Sequence, residues 1–161
     1  MDAEPSVRRM LLALIYEQVA LWSTTPEVGQ ERIVRLACDL LVAGDDGREV
    51  VALAGMSVHG QDYDFAERAD AALRELGLTP PGRHTDAAQV GAVRAVCRAM
   101  LDGEITPRAL AQWAHQVIGH SGAGEAQRLV DLDDAYDVDH QPIAELDQQV
   151  RAEAERLVIA L

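Results

Sequence analysis

Histidine and aspartate side chains that could bind a metal ion or transfer a proton are concentrated in residues 105–140. Imidazole nitrogens and carboxylate oxygens are ligands for divalent metal ions, and an ion held by them can activate water for hydrolysis. Clustered carboxylates also attract cations and basic protein surfaces. The histidines of this segment are His115, His120 and His140, and its aspartates are Asp131, Asp133, Asp134, Asp137 and Asp139.

The aspartates are predicted to form an acidic face on a helix. Asp134 and Asp137 are three residues apart and Asp133 and Asp137 are four apart, so a helix places these carboxylates on one side, where they repel one another. Such a cluster destabilises the fold unless a positive group compensates for it. We therefore predict a docking face for a basic partner protein, with a solvated acidic surface as the alternative. The predicted partner-binding residues are Asp131, Asp133, Asp134, Asp137 and Asp139.

A metal site in the same segment is the second hypothesis. His115 and His120 are five residues apart, which on a continuous helix points them about 140° from each other. They converge only if the helix breaks at Gly119. An EF-hand loop starting at Asp131 is excluded, because Tyr136 stands where glycine must turn. The candidate metal ligands are Asp133, Asp134, Asp137, His115, His120 and His140.

A serine between two glycines is a further candidate for chemistry. Residues 119–123, GHSGA, resemble the nucleophile elbow G-x-S-x-G of α/β-hydrolases, with Ala123 in place of the last glycine, and Asp133 and His140 follow in that family's chain order. The elbow of that family joins a strand to a helix on a parallel sheet. Here an amphipathic helix precedes Ser121 and no series of strands is predicted, so we interpret the segment as a turn between helices.

The composition limits the classes of partner. The chain of 161 residues has a formal net charge of -13 and a pI near 4.6, so it repels nucleic acid and anionic lipid. All of its basic side chains are arginine, which indicates a high-GC bacterial source. Cys38 and Cys97 lie on apolar stripes and predict buried, reduced thiols and hence a cytoplasmic protein. We predict neither membrane association nor a cofactor, since a domain of this size can fold without one.

Apolar residues recur at helical spacing along most of the sequence. Thr25-Pro26 and Thr106-Pro107 each combine a capping side chain with a proline in the first turn, which is typical of a helix start. The apolar N-terminal segment is interrupted by Glu17 and predicts a core helix, not a signal peptide. The predicted helices cover approximately residues 6–22, 26–42, 50–56, 65–76, 86–101, 107–118, 125–136 and 143–161. For the short apolar run 50–56 a strand is the alternative, and its isolation among helices favours a buried helix.

The two halves of the chain resemble each other. A shift of 81 residues places Thr25-Pro26 on Thr106-Pro107 and superimposes the apolar stripes of the helices before them. We predict an all-α fold, a single compact bundle of seven or eight helices over residues 1–161. Its two similar halves, 6–78 and 86–161, would be joined by the proline-rich linker 79–85.

These observations favour a non-enzymatic binding module that docks a basic partner through its acidic face. In acidic, helical character the chain is similar to nuclease-inhibiting immunity proteins, by analogy alone and without a shared motif. The alternative is a metal-assisted hydrolase that uses the aspartate and histidine cluster. Self-association through an apolar helix face is a third possibility.

Overall fold

The chain folds into α-helices joined by short connections. A computed structural model describes residues 3–26, 29–58, 64–138 and 140–159, and within these ranges it contains eight α-helices, one 3-10 turn at Gly124–Ala126 and no strand. The prediction of an all-α bundle of seven or eight helices is therefore confirmed. The helices are α1 (Ala3–Thr24), α2 (Gln30–Val42), α3 (Arg48–Ala54), α4 (Phe65–Glu75), α5 (Asp86–Leu101), α6 (Pro107–Val117), α7 (Gln127–Val138) and α8 (Ile143–Ile159).

The two Thr-Pro pairs have different roles. Thr106 caps α6 as predicted, because its hydroxyl oxygen accepts a hydrogen bond from the Ala109 amide at 3.2 Å. The same prediction for Thr25 is wrong. Its hydroxyl donates to the Leu21 carbonyl at 3.0 Å, so Thr25 completes the last turn of α1. The start of α2 moves to Gln30, after Gly29 in the left-handed conformation at φ 103°.

Each half of the chain has its own apolar core. In the first half α2 packs on α1 and α3, and α3 packs on α4; in the second half α6, α7 and α8 pack on one another, and α6 and α8 pack on α5. The fully buried large side chains include Ile15, Ile33, Leu40, Leu53, Phe65 and Leu73 in the first core, and Met100, Leu110, Leu129, Leu132 and Leu146 in the second. Each half contains four of the eight described α-helices. The internal duplication itself stays a prediction.

The N-terminal helix α1 is a central element of the fold, in agreement with the prediction of a core helix. Ile15, Val19 and Ala20 are buried, and α1 makes its most extensive contact with α5 of the second half. A search of the described residues finds no helix long and apolar enough to cross a membrane.

The backbones of α1 and α5 approach closely at Gly91. A Cβ atom added to Gly91 would lie 2.5 Å from the Cβ of Ala20 and 3.4 Å from the Tyr16 ring. Glycine is otherwise unfavourable inside a helix. Its presence here follows from the close approach of the two helices.

Gly91→Ala is expected to lower the free energy of unfolding by about 1–2 kcal/mol, because overpacking outweighs the higher helix propensity of alanine. Urea denaturation measures this change. Gly55→Ala is the matched control, since a Cβ at Gly55 meets its nearest neighbours at 3.6 and 3.7 Å. If Gly91→Ala were as stable as the control, the close approach of α1 and α5 would be contradicted.

A buried ion pair also joins these two helices. Glu17 on α1 is only 2% exposed, and it accepts two hydrogen bonds from the guanidinium of Arg98 on α5. The Nε–Oε2 distance is 2.6 Å and the Nη2–Oε1 distance is 3.2 Å. This bidentate pair satisfies a carboxylate that the packing of the halves has removed from water.

Candidate metal centre

Helix α6 positions the first imidazole of the centre. Leu110, Ala111 and Ala114 form the buried side of the helix. His115 follows Ala114 and lies at the edge of this buried side, with 36% of its side chain exposed. The ring is therefore held by a packed helix and still reaches solvent.

The second imidazole comes from the turn that ends α6. The amides of Ile118 and Gly119 both donate to the Ala114 carbonyl, at 2.9 and 3.1 Å, and Gly119 has φ 69°. This left-handed conformation, which favours glycine, turns the chain back on itself. The helix thus breaks at the residue where convergence requires a break. As a result the His115 and His120 ring centroids lie 5.0 Å apart, at an interplanar angle of 71°.

Helix α7 brings two aspartates to these rings. Its buried residues Leu129, Val130 and Leu132 face the second core, which directs Asp133 and Asp134 towards α6 and the turn. Asp133, 16% exposed, lies with Oδ2 2.8 Å from His115 Nδ1 in a hydrogen bond. Asp134 is 46% exposed and lies between the two imidazoles.

Three side chains point potential ligand atoms at a common region. Asp134 Oδ1 is 3.4 Å from His115 Nδ1, and Asp134 Oδ2 is 3.3 Å from His120 Nε2. One ligand atom from each residue lies within 4.8 Å of the other two. In a tetrahedral site with bonds of about 2.1 Å, ligand atoms are about 3.4 Å apart. The 4.8 Å limit is longer than this spacing, so the three residues could hold one ion only after small movements of their side chains.

Asp134 approaches both imidazoles without hydrogen bonding to either of them. Among the described residues, the hydrogen bond to His115 comes from Asp133, and neither Asp134 contact has hydrogen-bond geometry. At 3.4 and 3.3 Å the two contacts are within ion-pair distance when the imidazoles are protonated. Among the described residues, His115, His120 and Asp134 form the one group of three such side chains close enough together that they could hold a metal ion.

The other predicted site residues lie apart from this group. Asp137 forms an ion pair with Arg108, with an Oδ1–Nη2 distance of 3.1 Å. Asp131 and His140 are exposed and are not among the converging ligands, and Asp139 lies outside the described residues. The structure thus brings together His115, His120, Asp133 and Asp134, and it does not bring in the remaining candidates.

A tyrosine with a strong hydrogen bond stands beside the acidic run. Tyr136 donates its hydroxyl to Asp147 of α8, and the guanidinium of Arg108 lies 5.3 Å from the centre of its ring. Burial, and then the hydrogen bond to Asp147, raise the pKa of Tyr136 well above its usual value. The Tyr136 ring also contacts the arginine that pairs with Asp137.

Two glutamines near the centre were not identified from the sequence. Gln127, the first residue of α7, donates from Nε2 to the carbonyl oxygens of Gly119 and Gly122, at 2.9 and 3.3 Å. Gln89 of α5 accepts from the Ala123 amide at 2.7 Å. Both hold the turn that carries His120. No motif marks a glutamine for such a role, since the contact depends on the folded turn.

The serine of the predicted turn has no hydrolase context. Ser121 is exposed in the connection between α6 and the 3-10 turn, and the described residues contain no strand on which an elbow could form. Its interpretation as an interhelical turn agrees with this position.

The two cysteines differ in their surroundings. Cys97 is buried, and burial together with the charges of Glu153 and Glu17 raises the pKa of its thiol to about 12, as expected for an unreactive core residue. The prediction for Cys38 is wrong, because this residue is exposed. The buried face of α2 includes Ala37, and the next residue is rotated about 100° away from that face.

Comparisons with known proteins give no relative for this chain: no protein-family model, curated protein or solved structure matches it.

Proposed function

We propose that this protein binds one divalent transition-metal ion through His115, His120 and Asp134, and that metal-assisted hydrolysis is the reaction class of the site. The proposal retains three of the six candidate ligands from the sequence and leaves out Asp137 and His140. Asp133 contributes through its hydrogen bond to His115. Because that hydrogen bond uses Nδ1, Asp133 would act as an outer partner of the centre with His115 binding the metal through Nε2.

The observation that carries the proposal is the position of Asp134. Its two oxygens lie 3.4 and 3.3 Å from imidazole nitrogens that arrive from a helix and from a turn. With protonated imidazoles these contacts are ion pairs, and with neutral imidazoles a metal cation could take the place of the protons. A cation bound between them would satisfy all three groups.

The donor set favours zinc and its neighbours over calcium and magnesium. Two imidazole nitrogens with one carboxylate suit Zn²⁺, Co²⁺, Ni²⁺ and Cu²⁺, whereas Ca²⁺ and Mg²⁺ prefer oxygen ligands alone. Structural zinc sites are closed by four protein ligands, but catalytic sites have three and leave a position for water or substrate. His115, His120 and Asp134 have 36%, 58% and 46% of their side chains exposed. This exposure supports an open position, where a metal would activate water or polarise a substrate oxygen.

Titration of the chelator-treated protein with Zn²⁺ is expected to show one equivalent bound per chain by isothermal calorimetry. With free Zn²⁺ at 100 times its Kd, binding to the folded state adds about 2.7 kcal/mol to the free energy of unfolding. For a chain of this size that raises the Tm by roughly 5–10 °C. Binding should weaken as the pH falls, because protons and metal compete for the imidazole nitrogens.

Ca²⁺ and Mg²⁺ are the matched controls, since they have the same charge and a preference for oxygen. They are expected to leave the Tm unchanged at the concentration at which Zn²⁺ raises it. An unchanged Tm with every one of these ions, and no heat of binding with Zn²⁺, would contradict the proposed function.

Docking of a basic partner protein stays a prediction. Asp133 and Asp134 face histidines and Asp137 faces Arg108, so these three carboxylates have neighbours within the chain that can carry positive charge. The repulsion among these carboxylates can therefore be compensated within the chain, which weakens the argument for a basic partner protein. A cytoplasmic location also stays a prediction, and it rests on the two cysteines, which are free thiols.

A further inference from the structure

We infer that Gln127, assisted by Gln89, is the positioning residue of the metal centre: it fixes the turn that presents His120. This inference rests on the proposed function. His120 differs from His115 and Asp134 because it does not lie on a helix. Its place in the centre depends on what holds the turn.

The side chain of Gln127 reaches carbonyl groups on both sides of His120. Its Nε2 atom is 2.9 Å from the oxygen of Gly119, 3.3 Å from that of Gly122 and 3.4 Å from that of Ala123. The first carbonyl precedes His120 and the other two follow it. One amide group therefore closes the turn around the residue that supplies the second imidazole.

Two further contacts fix the far side of the same turn. The Ala123 amide donates to Gln89 Oε1 of α5 at 2.7 Å. Gly122 packs so closely on Ile118 that an added Cβ would lie 2.4 Å from its Cγ2 atom and 2.6 Å from its carbonyl oxygen. The turn is thus attached to α5, α6 and α7, and its backbone has little room to move.

The location of Gln127 on α7 links two ligands of the centre. The same helix carries Asp134, so the element that supplies the carboxylate also holds the loop that supplies His120. When the free protein already has its ligands in place, binding a metal does not have to order the loop, and the affinity is higher. Removing outer hydrogen-bond partners of metal ligands typically weakens metal binding by about 10–100-fold.

Gln127→Met tests the inference, because methionine has a similar length and removes the Nε2 donor. The Kd for Zn²⁺, measured by competition with a chromophoric chelator, is expected to rise about 10–100-fold. The visible absorption of the Co²⁺ form provides a second measurement that a general loss of stability would not change. The wild type is expected to show the intense bands of four-coordinate cobalt, and the variant the weak bands of six-coordinate cobalt, in which several waters occupy the positions left when His120 is lost.

Gln149→Met is the matched control, since it removes a half-buried, hydrogen-bonded glutamine of α8 that contacts Arg128 and Gln141 instead of the turn. It should keep the wild-type Kd. If Gln127→Met does not fold, Gln89→Met releases the other side of the turn and carries the same expectation. Wild-type affinity and an unchanged cobalt spectrum in the variant would overturn the inference alone. Failure of the wild-type protein to bind zinc would overturn the metal centre itself, and the inference with it.

Discussion

Replacing His120 with alanine is expected to abolish stoichiometric zinc binding while leaving the fold intact. The substitution removes one of three protein ligands, so the loss of affinity should exceed the roughly 10–100-fold cost of losing an outer hydrogen-bond partner. The His120 side chain is 58% exposed and belongs to neither apolar core. Stability without metal should therefore change by no more than about 0.5 kcal/mol. Calorimetric titration and urea denaturation measure the two quantities.

His140→Ala provides the matched control for that experiment. It makes the same chemical change at an exposed histidine outside the converging group, so wild-type zinc affinity is expected. Equal losses in the two variants would indicate nonspecific binding of zinc to an acidic surface. Retention of wild-type affinity by His120→Ala would remove this residue from the centre.

Arg98→Met is expected to lower the free energy of unfolding by about 3–5 kcal/mol, because it leaves a buried carboxylate without its counter-ion. Glu17 is 2% exposed, and α1 and α5 cannot separate to hydrate it without exposing the buried Ala20, which packs against Gly91. The reduction is a large part of the stability of a domain of this size. Urea denaturation measures this change, and an unchanged m-value would show that unfolding remains two-state.

The double variant Glu17→Met with Arg98→Met is expected to recover most of that loss, because an apolar pair of similar volume needs no desolvated charge. Arg32→Met serves as the surface control. Arg32 pairs with Glu104 where both side chains are nearly half exposed, so its loss should cost less than about 1 kcal/mol. If the double variant were as unstable as Arg98→Met alone, packing and not the unpaired charge would be the cause.

Periodic apolar residues made the fold class predictable from the sequence. The stripes at helical spacing gave eight helices in the right order, and even the short α3 was identified from the apolar run after Gly47. Helix ends were less predictable. Thr106 and Thr25 precede proline in the same way, but only Thr106 caps a helix, because α1 continues through Thr24 and uses the Thr25 hydroxyl itself. A Thr-Pro dipeptide alone therefore does not indicate where the preceding helix ends.

The candidate site was only partly predictable, for a similar reason. Spacing along one helix placed His115 and His120 apart, and the sequence could state only that a break at Gly119 would bring them together. The path of the turn after that glycine, which carries His120, is held by hydrogen bonds from Gln127 and Gln89 on other helices. The choice of Asp134 over Asp137 likewise depends on how α7 packs against α6, since Asp137 instead faces Arg108.

Two separate apolar cores allow the molecule to open one half at a time. Loosening of α2, α3 and α4 need not expose the second core, so amide hydrogens in the two halves can exchange with solvent through different opening events. A cation held by α6, α7 and their connecting turn would slow opening of the second half directly. The first half would benefit only through the contact between α1 and α5. Metal binding would thus slow amide exchange in the second half more than in the first half of the same small domain.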